Sequence, residues 1–326
     1  MGALDLAGLI IIPLAVAASV SLGWLRTSSQ AGRYALAVAV AVGVMAGCWT
    51  YPDPLPLSPD KHWHWLPYVG LLAAILGGAA AFSSLPWVDR KLQYFVLGGA
   101  AAFILVPQWA AWPESLPARP LLIFRVATYL GLISAGLALL PECLRGRNLA
   151  GMLVLAAIGT AALIASEVSL RHGYVSLRVA AALAGCWGAS LVWKGKNTED
   201  SSRWSALILA LIPVYAVLSG GGMFIAAIEA DPPKYLLLGA PAAPLLLWLF
   251  AAGPLAQLKG AAAIVAQCIV VLIVPVALLA VSLLHTPPED EWSEHSGAVQ
   301  ITRGTWQSSG GFPTGGFPRL EIRDWP

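Results

Sequence analysis

Between Leu4 and Leu284 the chain is a succession of long apolar stretches separated by short runs of Pro, Gly, Ser and charged residues. This pattern restricts the fold more than any other feature of the sequence. A helix that crosses the hydrocarbon core of a bilayer, roughly 30 Å thick, needs about 20 apolar residues at a rise of about 1.5 Å each. Ten stretches fit: Leu4 to Leu25, Tyr34 to Trp49, Leu66 to Leu85, Leu92 to Trp112, Leu121 to Leu140, Leu149 to Ser166, Leu177 to Trp193, Ser205 to Ile228, Tyr235 to Leu258, and Ala261 to Leu284. Only 11% of the residues are charged and 58% are hydrophobic, whereas a soluble domain carries about 25% charged residues. The sequence therefore predicts an all-α integral membrane bundle of about ten transmembrane helices over residues 1–284. The lipid bilayer is its main partner, and a water-soluble domain of this length is excluded.

Lys and Arg are retained on the cytoplasmic side of a membrane, so the loops can be assigned by charge. Loops after odd-numbered spans hold ten cations, among them Arg26, Arg33, Arg90, Lys91, Arg145, Arg147, Lys194 and Lys196, against four acids. The opposite side holds nine cations and thirteen acids. Both termini are thus expected outside. Trp24, Trp49, Trp87, Trp109, Trp112, Trp193 and Trp204 fall at or near the ends of the stretches, where an indole favours the headgroup level. The N-terminus lacks the basic residues that open a secretory signal, and the first stretch is expected to be retained as a span. A net charge of +2 offers no basic face for nucleic acid. Cys48, Cys143, Cys186 and Cys268 have neither metal-ligand nor disulfide-framework spacing and are expected to pack as small apolar residues.

Composition changes abruptly at His285. Residues 285–326 open with Pro287, Pro288, Glu289, Asp290 and Glu291 and contain Gly-Gly-Phe-Pro twice, too little apolar content for a core. This extramembrane tail is expected to be disordered or docked on the bundle or on another membrane subunit. Trp306, Phe312, Phe317 and Trp325 provide the anchors for docking.

Candidate chemistry is sparse. His62 and His64 share a face in extended backbone and could ligate a metal or relay protons, but an aromatic belt ending in Pro67 at a first helical turn accounts for the same string. Arg125 is the only charge clearly inside an expected span, about 6 Å from its outer end. It either snorkels to the interface or pairs with an outer acid, Glu167 and Glu229 being nearest the membrane. Arg171, His172 and Arg178 are expected in the neighbouring outer loop. Gly220, Gly221 and Gly222 in the eighth span, and Pro241 and Pro244 in the ninth, either let helices approach closely or break them and expose backbone groups, as in many transporters. No catalytic, cofactor or metal motif is present, and none of these residues is assigned such a role.

Pro52, Pro54, Pro56 and Pro59 precede Trp65, Leu66, Pro67 and Tyr68. In these residues the stretch from Trp24 to Leu72 resembles bacterial polytopic membrane proteins that share a two-span opening, a Pro-rich outer loop and a Trp-Leu-Pro-Tyr start of the third span. The resemblance implies a membrane-embedded bundle and carries no activity. With the Ala, Gly, Trp and Arg usage of a GC-rich bacterial genome, it points to a cytoplasmic (inner) membrane. The leading expectation is a non-enzymatic membrane component or accessory subunit of a membrane complex. A small-solute transporter or channel with breaks at 219–222 and 239–254 is the alternative, and a membrane-embedded transferase acting on the outer face is the third.

Overall fold

A computed structural model of the chain describes residues 7–25, 35–50, 64–82, 90–105, 119–192, 200–230 and 234–285. Helix is the only regular structure among them. The chain divides into two units, Met1–Leu284 and His285–Pro326. The predicted tail anchors all lie outside the described residues.

A helix occupies each of the ten apolar stretches. They are α1 (Ile12–Leu25, entered through a π-helical turn Ala7–Ile11), α2 (Ala35–Trp49), α3 (Trp65–Phe82), α4 (Arg90–Leu105), α5 (Arg119–Ala138), α6 (Arg147–Glu167) and α7 (Leu170–Val192). The eighth, α8, runs as Asp200–Tyr215, a π-helical Ala216–Gly221 and Gly222–Glu229. The ninth, α9, alternates between tight and regular winding: 3₁₀ over Tyr235–Leu238, α over Gly239–Ala242, 3₁₀ over Ala243–Leu247 and α over Trp248–Ala252. After a 3₁₀ turn Pro254–Gln257, Gly260 at a φ of 61° turns the chain into α10 (Gly260–His285). A left-handed φ of this kind suits glycine because there is no Cβ to clash with the carbonyl.

Six of these helices, α5 to α10, are long and apolar enough to cross a membrane, and the apolar helices of α1 to α4 are shorter. At 15 residues, α2 reaches about 22 Å. The expected boundaries shift in one place that matters. The seventh helix begins at Leu170, seven residues before the apolar run that predicts it. Residues 171–176 are therefore helical, and Arg178 lies inside the helix and not in a loop.

The bundle is built around α8, whose residues from Leu207 to Leu218 are almost all buried. α3 and α2 pack along its first part and α5 meets its π-helical part, while α6 runs along α7 and α4 along α5. Helices this rich in Ala and Gly approach closely, because dispersion between near backbones replaces the hydrophobic drive that lipid cannot supply. At the α1–α7 crossing a Cβ on Gly185 would collide with the Leu14 carbonyl oxygen. At the α6–α10 crossing a Cβ on Gly159 would stand 2.6 Å from the Pro275 ring. Each glycine makes room for a backbone or a ring that no other residue would admit. α10 lies on the periphery, with Ile264, Val265, Ile269, Ile273 and Val276 exposed.

Candidate functional site

Prolines inside apolar helices create the main polar problem of this chain. A proline has no N–H, so a carbonyl three or four residues earlier loses its donor, and no water is at hand to replace it. Tyrosine hydroxyls meet the need. The Tyr94 hydroxyl on α4 donates to the Leu209 carbonyl at 3.2 Å, the carbonyl that Pro213 leaves without its α-helical donor. In α9 the winding is partly 3₁₀, where the lost acceptor is three residues back. Tyr215 on α8 donates to the Pro241 carbonyl, three before Pro244, and Tyr129 on α5 donates to the Leu238 carbonyl at the entry to the α-helical turn that holds Pro241, each at 2.8 Å. Ser219 shares a hydrogen bond with the Tyr215 hydroxyl. The same bookkeeping closes the end of α5. The Leu140 N–H bonds to Leu137 in place of Gly136, and the Gly136 carbonyl accepts from Trp248 Nε1 of α9 at 3.0 Å.

The glycine run sits at the heart of this arrangement. All six residues of the π-helical segment Ala216–Gly221 are buried. A Cβ on Gly220 would meet Leu130, Ile133 and Tyr129 of α5 at 3.2 to 3.4 Å, and one on Gly221 would meet Leu66 of α3 and Leu105 of α4 at 3.3 and 3.4 Å. A Cβ on Gly222 would meet Leu66 at 3.3 Å and the Ser176 hydroxyl at 3.7 Å. These glycines serve close packing against aliphatic side chains. Pro241 and Pro244 are buried as well, and Pro241 contributes a carbonyl that its neighbours already satisfy.

The predicted charged residues do not converge. Arg125 is exposed on α5 beside exposed Leu121 and Phe124, and among the described residues no acid pairs with it. Glu167, a candidate partner for Arg125, instead closes the end of α6 onto the start of α9. Its Oε2 accepts from Lys234 Nζ at 2.5 Å, and its backbone carbonyl accepts from the same ammonium at 3.3 Å. Glu229 is the last residue of α8, and its side chain lies outside the described residues, as does His62. His64 is buried at the entrance to α3.

The charge that sequence reasoning misplaced is Arg178. It is 3% exposed, two turns into α7, with its guanidinium 3.7 Å from the Cys48 sulfur at the end of α2. Arg125 is therefore not the only cation inside an apolar helix. Cys186 is likewise buried and accepts from the Ser21 hydroxyl at 3.2 Å. Trp204, expected at the headgroup level, is 4% exposed and carries the Arg147 guanidinium over its ring at 4.8 Å, a cation–π contact that ties the starts of α6 and α8 together. Among the described residues no three His, Cys, Asp or Glu side chains come together as a metal-binding group. No family model matches the chain, and neither a curated protein nor a solved structure does.

Proposed function

We propose that this chain is a multi-pass protein of a bacterial cytoplasmic membrane, crossing it ten times with both termini outside, and that it serves as a non-enzymatic accessory subunit of a membrane complex. The observation that carries the reading is the filled centre. The buried glycine run lies against Leu66, Leu105, Leu130 and Ile133, and in the broken ninth helix tyrosine hydroxyls take up the Leu238 and Pro241 carbonyls. Polar groups that would serve chemistry at an outer vestibule are engaged in holding helices together, Glu167 with Lys234 and Arg178 with Cys48. The four shorter apolar helices count as spans in this reading because loops on alternating sides then carry the charge asymmetry described above. The likeness of the Pro-rich loop and Trp-Leu-Pro-Tyr start to bacterial polytopic membrane proteins supports the same location.

The break in α9 beside a π-helical segment favours a second reading, a small-solute transporter or channel, since such interruptions line substrate paths in transporters. A cysteine introduced at Gly221 separates the two. It stays unreactive toward a hydrophilic thiol reagent if the bundle is a filled subunit, and reacts if a solute path reaches mid-helix. Native mass spectrometry after extraction from the bacterial membrane in mild detergent tests the subunit reading itself. The expected species exceeds the 34.1 kDa of the chain by another membrane protein in fixed stoichiometry. A chain that always runs alone contradicts it.

A further inference from the structure

We infer that the stretch Tyr235–Leu247 of α9 is a discrete strap, latched shut by the Tyr129 and Tyr215 hydroxyls, that opens as a unit while the helices around it stay closed. Its own backbone holds it weakly. Pro241 and Pro244 remove two donors within four residues, and the 3₁₀ winding of Tyr235–Leu238 and Ala243–Leu247 gives poorer hydrogen-bond geometry than an α-helix. What secures it comes from other elements. Lys234 ties its outset to Glu167 of α6 and, through its backbone N–H, to the Ala227 carbonyl of α8 at 2.8 Å. Tyr129 holds Leu238, Tyr215 holds Pro241, and beyond the strap Trp248 holds the carbonyl of Gly136.

These fastenings are a few contacts each from three different helices, α5, α6 and α8, and each can be released without unwinding the helix that supplies it. A segment with few internal bonds and several external ones opens locally at a free energy set by those external bonds. Tyr215 makes the opening costly, because its release bares the Pro241 carbonyl in an apolar interior, and Tyr129 adds a second bond that opening must break. Tyr129 also packs on Phe224 of α8, with ring centroids 5.9 Å apart, so the latch keeps its position when its hydroxyl is removed.

Hydrogen exchange followed by mass spectrometry on the full chain in lipid nanodiscs tests the strap. In the unaltered protein, the amides of Leu236–Leu247 exchange together and ahead of those in the middle of α6. Exchange at the same rate as α6 overturns the proposal. Tyr129→Phe and Tyr215→Phe each accelerate the strap by about three- to tenfold while leaving α6 and the first part of α8 unchanged. Acceleration spread evenly over all helices, or none in the strap, overturns it. Pro244→Ala returns an N–H to the Pro241 carbonyl, so in that background Tyr215→Phe has no further effect on the strap. An undiminished effect contradicts the latch assignment.

Discussion

The Tyr94 hydroxyl donates to the Leu209 carbonyl across 3.2 Å, and Leu209 stands four residues before Pro213 in the same helix. A helix in lipid has no solvent to repair a proline's missing N–H, so the repair has to come from a neighbour. Tyr215 repeats the relation at the three-residue spacing of 3₁₀ winding, on the Pro241 carbonyl ahead of Pro244, and Tyr129 reaches the Leu238 carbonyl of the same helix. Each pair couples a tyrosine to a proline-bearing helix and so fixes which helices are neighbours.

Tyr94→Phe removes the donor and leaves the Leu209 carbonyl unsatisfied. The expected loss of stability is about 0.6 to 2 kcal/mol, the range of single hydrogen bonds inside membrane bundles. In a Pro213→Ala background the helix supplies its own donor, and the loss disappears. Unfolding in mixed micelles, read by tryptophan fluorescence on all four proteins of the cycle, measures the coupling. Additive losses contradict the relation.

Gly185→Ala drives a Cβ into the Leu14 carbonyl oxygen, whereas a Cβ on Gly188, one turn on, meets nothing within 4 Å. The first substitution forces α1 away from α7 and is expected to cost about 1 to 3 kcal/mol, as overpacking does. Gly188→Ala is expected to be neutral or stabilising by up to about 1 kcal/mol through helix propensity. Thermal unfolding of the two variants side by side checks this, and equal shifts exclude the close α1–α7 approach.

Glu167 and Lys234 are partly exposed, with side chains 13% and 38% accessible. Their coupling is expected at about 0.5 to 1 kcal/mol, and it weakens at high ionic strength. A double-mutant cycle with Glu167→Gln and Lys234→Met in low and high salt reads it. A coupling of zero at low salt removes the ion pair from the account.

Arg125 points outward among apolar side chains and has no acid beside it among the described residues. Arg125→Leu is therefore expected to insert and fold with a stability change within about 0.5 kcal/mol, the range of surface substitutions. A loss of several kcal/mol, measured by the same micelle unfolding, would mean that the guanidinium is paired.

Much of the fold was legible in advance because hydropathy reports where a chain meets lipid, and every long apolar stretch carries a helix. Hydropathy is silent on what one helix buries against another. The sequence places Arg178 in the outer loop with Arg171 and His172, yet it lies within α7, buried beside Cys48 of α2. Lys234 went unnoticed since its partner lies 67 residues away, and no local pattern links them. The tyrosines did leave a signal. A hydroxyl within an apolar helix needs an acceptor, and carbonyls preceding Pro213 and Pro244 are acceptors that lack helical donors. The glycine run leaves close packing and a helix break both open in the sequence, and in the structure it is a buried π-helical segment set against Leu66, Leu105, Leu130 and Ile133.

The crossing pattern is tested most directly by the sidedness of Cys143. This thiol is exposed in the short turn between α5 and α6, on the cation-rich side of the chain, while Cys48 and Cys186 are buried. Intact cells are treated with a membrane-impermeant maleimide and labelled peptides are identified by mass spectrometry, using the natural chain and a Ser308→Cys variant. The expected result is no label on Cys143 until the cells are permeabilised, and label on position 308 without permeabilisation. Label on Cys143 in intact cells, with position 308 protected, contradicts a bundle that has both termini outside.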